Sequence, residues 1–172
     1  MQKILDANSI SHILDQMADT IMKSGVGEHM ALIGVRTRGV PLAERLALRL
    51  RQKCDYTLPV GSLDITFYRD DLEKKANWPI VHGTSIPFAI EDRPVLLVDD
   101  VLFTGRTTLA ALRAILDLGR PSRLRLAVLI DRGHREFPIR ADFVGRTMAT
   151  QPKDLIRVML QETDGVDEVL QQ

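Results

Sequence analysis

An apolar run that ends in two adjacent carboxylates constrains this chain more than any other feature. Residues 95–98 are all valine or leucine, which is typical of a strand covered on both faces of a parallel sheet. Asp99 and Asp100 follow at once, and a short loop of small and hydroxyl residues comes next. Apolar positions in 109–118 then recur at helical spacing as far as Gly119. This order predicts a strand–loop–helix unit with its chemistry at the carboxyl end of the strand.

The loop before this helix is predicted to bind a phosphate group. Unpaired N–H groups and the helix dipole favour an anion at a helix start, and Gly105 allows the backbone to come close to it. The residues expected to contribute are Thr104, Gly105, Arg106, Thr107 and Thr108. The two carboxylates would repel phosphate, so we expect them to face hydroxyl groups or a cation that accompanies the substrate. A phosphate at one end and a diol at the other describe a ribose 5-phosphate group.

Residues 95–107 resemble the motif of type I phosphoribosyltransferases that binds 5-phosphoribosyl 1-pyrophosphate (PRPP), a strand with two terminal acids before a Thr-Gly-x-Thr loop. An ordinary crossover explains the apolar residues but not the acidic pair and the loop. The resemblance implies an α/β fold in a single domain over residues 1–172. A mainly parallel central sheet would carry helices on both faces and a small hood over the base. It also implies Mg²⁺ that is held through PRPP near Asp99 and Asp100, without a direct protein ligand.

Residues 36–39 form a second candidate anion loop after another apolar strand. Two arginines, a hydroxyl and a glycine suit a phosphate, although a solvated turn with surface arginines explains the same residues. In the family the corresponding loop binds the pyrophosphate of PRPP. The residues that resemble it are Thr37, Arg38 and Gly39.

Residues 69–84 are polar and follow neither the helical nor the strand period. Long irregular segments of this kind are usually lids or disordered loops. Type I enzymes carry a mobile loop here that closes over the reacting centre, so Arg69 is expected to reach the pyrophosphate. A flexible hairpin tip is the alternative interpretation.

Further stretches resemble one subfamily, the bifunctional pyrimidine-operon regulators and uracil phosphoribosyltransferases (PyrR). The most specific is Asp131–Arg140, and similarity extends over about 31–150. The resemblance implies that uracil and PRPP give UMP and pyrophosphate. The residues expected to carry catalysis are Asp99, Asp100, Arg38 and Arg69.

The base pocket is predicted from Phe103 and from the segment 141–145. Purine enzymes of this class place an acidic residue just before the Thr-Gly pair, whereas an aromatic ring at Phe103 suits a pyrimidine wall. By resemblance, residues 141–145 form the hood, with Phe143 and Val144 against the base. A purine phosphoribosyltransferase remains a third alternative.

The subfamily also implies binding to leader RNA that is strengthened by uridine nucleotides such as UMP and UTP. Basic side chains usually supply such affinity, and the candidates are Arg132, His134, Arg135, Arg140 and Arg146. Some of these can instead pair with neighbouring acids. The N-terminal helix carries Asp15 and Asp19, which would repel phosphate. An RNA-binding attenuator with weak or lost catalysis is therefore kept as the alternative function.

Composition narrows the class of protein further. The formal net charge is zero, so no global field favours nucleic acid or an anionic membrane. A single cysteine cannot form an internal disulfide. No apolar run approaches the ~20 residues of a membrane span, and no signal peptide is evident. We therefore expect a cytoplasmic protein without a membrane partner, and by resemblance a homodimer or higher homo-oligomer.

Overall fold

The computed structural model describes residues 1–25, 27–55, 57–68 and 83–172. Arg69 and nearly all of the loop predicted at 69–84 lie outside these residues. Within them, five parallel strands form one sheet, in the order β3-β2-β4-β5-β6. Its strands are β2 (Ala31–Val35), β3 (Val60–Leu63), β4 (Pro94–Leu102), β5 (Arg123–Asp131) and β6 (Phe143–Thr147). All five carboxyl ends therefore lie along one edge, where open α/β sheets place their ligands.

Helices cover both faces of this sheet. Helices α1 (Ala7–Lys23) and α2 (Gly39–Arg51) pack on one face, in a core that contains Leu32 and Leu96. Helix α3 (Arg106–Leu118) packs on the other face with Ile33 and Leu97. Successive strand residues thus alternate between two buried layers, because neighbouring side chains of a strand point to opposite faces. The expected α/β architecture is confirmed.

A second, antiparallel sheet is built from the two ends of the chain. Its strands are β1 (Gln2–Leu5), β8 (Glu168–Gln171) and β7 (Ile156–Met159), in the order β1-β8-β7. The short helix α4 (Gln161–Asp164) lies between β7 and β8. The prediction that residues 141–145 form the hood is wrong, because Phe143–Thr147 is instead the edge strand of the central sheet, paired with β5.

The alternation of apolar residues after β3 does not continue as a strand. Thr66–Tyr68 forms a 3-10 turn and Phe67 is exposed. Asp64 accepts hydrogen bonds from both the N–H and the hydroxyl of Thr66, a local arrangement that competes with strand pairing. Among the described residues, no helix combines the length and apolar character required to cross a membrane.

Candidate active site

The acidic pair lies inside strand β4 rather than just beyond it. Strand β2 pairs with β4 only as far as Val98, whereas β5 follows β4 to Leu102. Asp99 is 7% exposed, and burial together with the neighbouring Asp100 raises its pKa well above the ordinary value. The N–H of Asp100 donates to Asp99 Oδ1. Among the described residues, no positive charge compensates the buried carboxyl of Asp99.

The loop at residues 36–39 lies directly against this part of β4. A Cβ on Gly39 would overlap the carbonyl oxygen of Val98 and lie 3.3 Å from Cα of Asp99. Only glycine allows this approach, because any side chain would displace one of the two backbones. The peptide bond between Arg36 and Thr37 is cis. The two loops that were predicted from separate parts of the sequence therefore meet at the acidic pair.

Arg38 forms the best-defined charged contact at this edge. Its Nη2 and Nε lie 2.7 and 3.1 Å from the two carboxylate oxygens of Asp164 in α4. This contact lowers the pKa of Asp164 far below the ordinary value, and Asp164 and Asp100 together raise the pKa of Arg38. Asp164 was not predicted as a site residue, since it lies 126 positions from Arg38 and no local pattern marks it.

The predicted phosphate loop has the expected backbone form. Gly105 precedes α3 with φ +90° and has no side chain to cap the helix, and Thr104 Oγ1 accepts from the N–H of Arg106 at 3.3 Å. The N–H groups that follow in the first turn have no carbonyl partner within the helix, and they suit an anion. Thr104 and Thr107 are partly exposed at this turn, but Thr108 is 4% exposed. The Thr108 side chain is buried in the structure without ligand, so contact of its hydroxyl with the phosphate stays a prediction.

Arg106 belongs to the neighbouring loop as well as to the helix start. Its guanidinium pairs with Glu136 and lies 5.0 Å from the centre of the Phe137 ring. The N–H groups of Glu136 and Phe137 both donate to the carbonyl of Thr104. The segment after β5 thus holds the phosphate loop in place.

Phe103 is covered by residues of that same segment. The Arg132 guanidinium lies 4.0 Å over the Phe103 ring, and His134 meets the ring edge with centroids 6.0 Å apart. Arg132 also donates to Thr150 Oγ1 and to the carbonyl of Gln151. One face and one edge of the Phe103 ring are therefore covered, and the uncovered part of the ring can contact a ligand.

The other two predicted base-pocket residues lie on opposite faces of strand β6. Phe143 is at the amino end of β6, opposite Ala127, and packs in the core with α1. Val144 packs on the opposite face of the sheet with the α3 layer. Phe143 belongs to the buried layer on the sheet face opposite to that of Asp99, so its assignment to the base pocket is wrong. Val144, like Asp99, lies opposite Val128, so its assignment stays a prediction.

The five candidate RNA residues separate into three groups. Arg132 is 4% exposed and stacked on Phe103, and Arg135 is tied to Asp131 and to three backbone carbonyls. Their assignment to a basic surface is wrong, because their guanidinium groups hold the loop together. His134 is exposed but bonds to the Thr150 carbonyl. Arg140 and Arg146 are the two arginines of this set that are exposed.

The described residues contain no group of three or more His, Cys, Asp or Glu that could hold a metal ion. Two adjacent carboxyl groups, one of them buried with a raised pKa, do suit a cation that arrives with a polyanionic substrate. The donor set therefore fits Mg²⁺ held mainly through a ligand.

These features define the class of protein. Residues 1–158 match the model of the phosphoribosyl transferase domain family. The solved hypoxanthine phosphoribosyltransferase of Trypanosoma cruzi superposes with a TM-score of 0.74 at 17% identity, covering 99% of this chain and 95% of its own. That of Staphylococcus aureus gives 0.73 at 19% identity, covering 98% and 90%. At these low sequence identities, the structural similarity to the two enzymes establishes the fold alone.

Curated relatives narrow the class. The chain is 52% identical to "Bifunctional protein PyrR" of Deinococcus deserti, over 96% of this chain and 91% of the relative. It is 54% identical to the protein of the same name from Alkaliphilus metalliredigens, over 97% and 92%. The chain belongs to the PyrR family of phosphoribosyltransferases, as its sequence motifs predict.

Proposed function

We propose that this protein is a uracil phosphoribosyltransferase that converts uracil and PRPP to UMP and pyrophosphate. The observation that carries the proposal is the position of two candidate anion loops beside one acidic pair, of which Asp99 is buried. The backbone at Gly39 touches that of Val98 and Asp99, while the loop at Gly105 follows the same strand by a few residues. A ligand with phosphate at one end and pyrophosphate at the other fits this spacing.

Each part of the crevice has a distinct task in the transfer. The backbone N–H groups at the start of α3 hold the 5-phosphate, and Asp99 and Asp100 accept hydrogen bonds from the ribose hydroxyls. The bond from C1 to pyrophosphate breaks as the bond from C1 to uracil N1 forms, and the proton of N1 is released to solvent. The sugar gains cationic character in between, which the two carboxyl groups stabilise.

The leaving pyrophosphate gains negative charge that must be neutralised. Arg38 stands at the loop beside the acidic pair, and its pKa is raised by Asp164 and Asp100. Its guanidinium is therefore a permanent cation, and Arg69 is proposed to join it from the segment outside the described residues. Mg²⁺ bound to PRPP supplies further charge neutralisation at the pyrophosphate oxygens. No protein nucleophile is required.

Phe103 is proposed as one wall of the base pocket. Its ring is fixed by Arg132 and His134, so it offers a rigid apolar surface to a small base. Because it lacks an acidic group for a purine imidazole, we expect pyrimidine over purine. This preference rests on the residue type and on the identity of the relatives, since the folds of purine enzymes are also similar.

We also propose a second activity, binding of leader RNA in response to uridine nucleotides, which the resemblance to the PyrR subfamily implies; the curated relatives are themselves named bifunctional. The exposed arginines Arg140 and Arg146 are proposed to contact the RNA backbone. Asp15 and Asp19 of α1 are paired with Arg49 and Lys53, so their charge is partly compensated and does not exclude RNA from that face.

The proposal is tested by offering uracil, hypoxanthine, guanine and orotate separately, each with PRPP and Mg²⁺. We expect UMP from uracil and no nucleotide from the other three bases. Nucleotide formation from hypoxanthine or guanine would identify a purine enzyme instead. If no base reacts while leader RNA still binds in the presence of UMP, the protein is an attenuator that has lost catalysis.

A further inference from the structure

We propose that Asp164 is a positioning residue that holds the Arg38 guanidinium ready for the pyrophosphate group of PRPP. This inference rests on the proposed function, since it assigns Arg38 to the pyrophosphate. It adds a residue from the C-terminal segment to a site that otherwise comes from the central sheet.

The contact between the two side chains has the geometry of a fixed pair. Both carboxylate oxygens of Asp164 accept from Arg38, at 2.7 and 3.1 Å, and the side chains are 12% and 28% exposed respectively. Bidentate pairing of this kind restricts the planar guanidinium in orientation as well as position. Within the described structure, Arg38 Nη1 donates no hydrogen bond and stays available to a ligand.

The Asp164 carboxylate is itself held by two hydrogen bonds, so it can fix the position of the Arg38 guanidinium. Its Oδ2 accepts from the N–H of Leu160 at 2.9 Å and from the hydroxyl of Thr163 at 2.7 Å. Leu160 is fully buried in the main core. The carboxylate is thus tied to the rigid part of the fold, and Arg38 is tied to the carboxylate.

The consequence for binding is entropic. A free arginine side chain has many rotamers, and ordering it on a ligand costs free energy. Because Asp164 already restricts Arg38, pyrophosphate binds to a group that is ordered in advance. Replacing Asp164 should therefore weaken PRPP and pyrophosphate binding, with little effect on uracil or on the rate of the bound complex.

The same segment offers a matched control. Asp167 also makes a two-point contact with an arginine, at 2.7 and 3.1 Å from Arg45, and also accepts from a backbone N–H, that of Gln161. Arg45 lies two turns into α2 and keeps a second acidic partner, Glu162. Asp167→Asn thus removes a similar contact from the same segment without reaching the predicted pyrophosphate loop.

The experiment compares wild type, Asp164→Asn and Asp167→Asn by steady-state kinetics and by calorimetric titration with pyrophosphate and with PRPP in Mg²⁺. For Asp164→Asn we expect the KM for PRPP and the Kd for pyrophosphate to rise about tenfold, with kcat and the KM for uracil within twofold of wild type. Asp167→Asn should match wild type in all four quantities. A third variant, Thr163→Val, removes one support of Asp164 and should shift PRPP binding in the same direction by a smaller factor.

Three results would overturn the inference. Equal losses in Asp164→Asn and Asp167→Asn would mean that the segment only supports the fold. Unchanged binding in Asp164→Asn would mean that Arg38 needs no support, and tighter binding would mean that Asp164 competes with pyrophosphate. If wild type makes no UMP but binds PRPP, the proposed function fails while the titrations still decide the role of Asp164.

Discussion

The Arg132 guanidinium lies 4.0 Å over the ring of Phe103, and Arg132 is one of the few charged residues buried in the described structure. Two hydrogen bonds, to Thr150 and Gln151, fix it between β5 and the chain that leads to β7. Burial lowers the pKa of Arg132 slightly from its ordinary value. A residue that the sequence marks as a candidate RNA contact thus supports the ring of Phe103, the proposed wall of the base pocket.

Arg132→Met should loosen this wall without changing the phosphate loop. Loss of the ring contact and of two hydrogen bonds should lower the free energy of unfolding by about 1–3 kcal/mol. The KM for uracil should rise several-fold, while the KM for PRPP stays close to wild type. Denaturant unfolding and kinetics measure the two effects. An increased KM for PRPP alone would contradict the placement of Arg132 at the base side.

Asp100→Asn tests the role of the acidic pair. The substitution keeps the size of the side chain but removes its charge, so the cationic sugar in the transition state loses one stabilising group. We expect UMP formation to fall by about 100-fold or more, with an unchanged circular dichroism spectrum and melting temperature. Full activity in this variant would refute the assignment.

Asp99→Asn should stabilise the free protein at neutral pH. The folded-state pKa of Asp99 is raised by burial and by Asp100, so the folded state holds its proton more tightly than the unfolded state. Its contribution to stability is therefore lost as pH rises above the ordinary value toward the folded value. Thermal melts should show the variant above wild type at pH 8, with a smaller difference at pH 4. A difference that grows at low pH would contradict the buried placement.

Gly39→Ala tests the contact between the pyrophosphate loop and β4. The added methyl group would meet the Val98 carbonyl, and overpacking of this kind costs roughly 1–3 kcal/mol. PRPP affinity should fall together with stability, as measured by titration and melting. Gly27→Ala is the control, because open space surrounds a Cβ at that position. Wild-type PRPP affinity in Gly39→Ala would show that the loop does not need this approach.

Arg140→Ala and Arg146→Ala should each weaken leader RNA binding across sequences and reduce the salt dependence by about one charge. Both side chains are exposed, so neither substitution should disturb the fold or UMP synthesis. Gel shifts with and without UMP at several salt concentrations provide the measurement. Unchanged salt dependence in both variants would place the RNA on another face.

The sequence was most informative where local pattern and chemistry coincide. The strand, acidic pair and glycine loop of 95–107 could be interpreted in this way because all of its parts are contiguous. The loop at 36–39 could be assigned to the same site because both loops follow apolar strands of a parallel sheet, whose carboxyl ends lie along one edge.

The parts that sequence analysis missed depend on contacts between distant residues. Strand β1 pairs with β8 at the opposite end of the chain, and strands this short carry little pattern of their own. Asp164 was missed for a similar reason, because it reaches the proposed site through Arg38, 126 positions away. Phe143 was assigned to the hood because its segment is apolar. An edge strand of the central sheet has the same apolar pattern, so the sequence alone does not distinguish the two.

We propose that the start of α3 binds a 5-phosphate while Asp99 and Asp100 bind the ribose hydroxyls. A crystal structure of the complex with UMP is the decisive experiment. We expect phosphate oxygens within hydrogen-bond distance of the N–H groups at 105–108 and ribose hydroxyls on the acidic pair. A nucleotide bound at any other face, with this crevice closed by side chains, would contradict it.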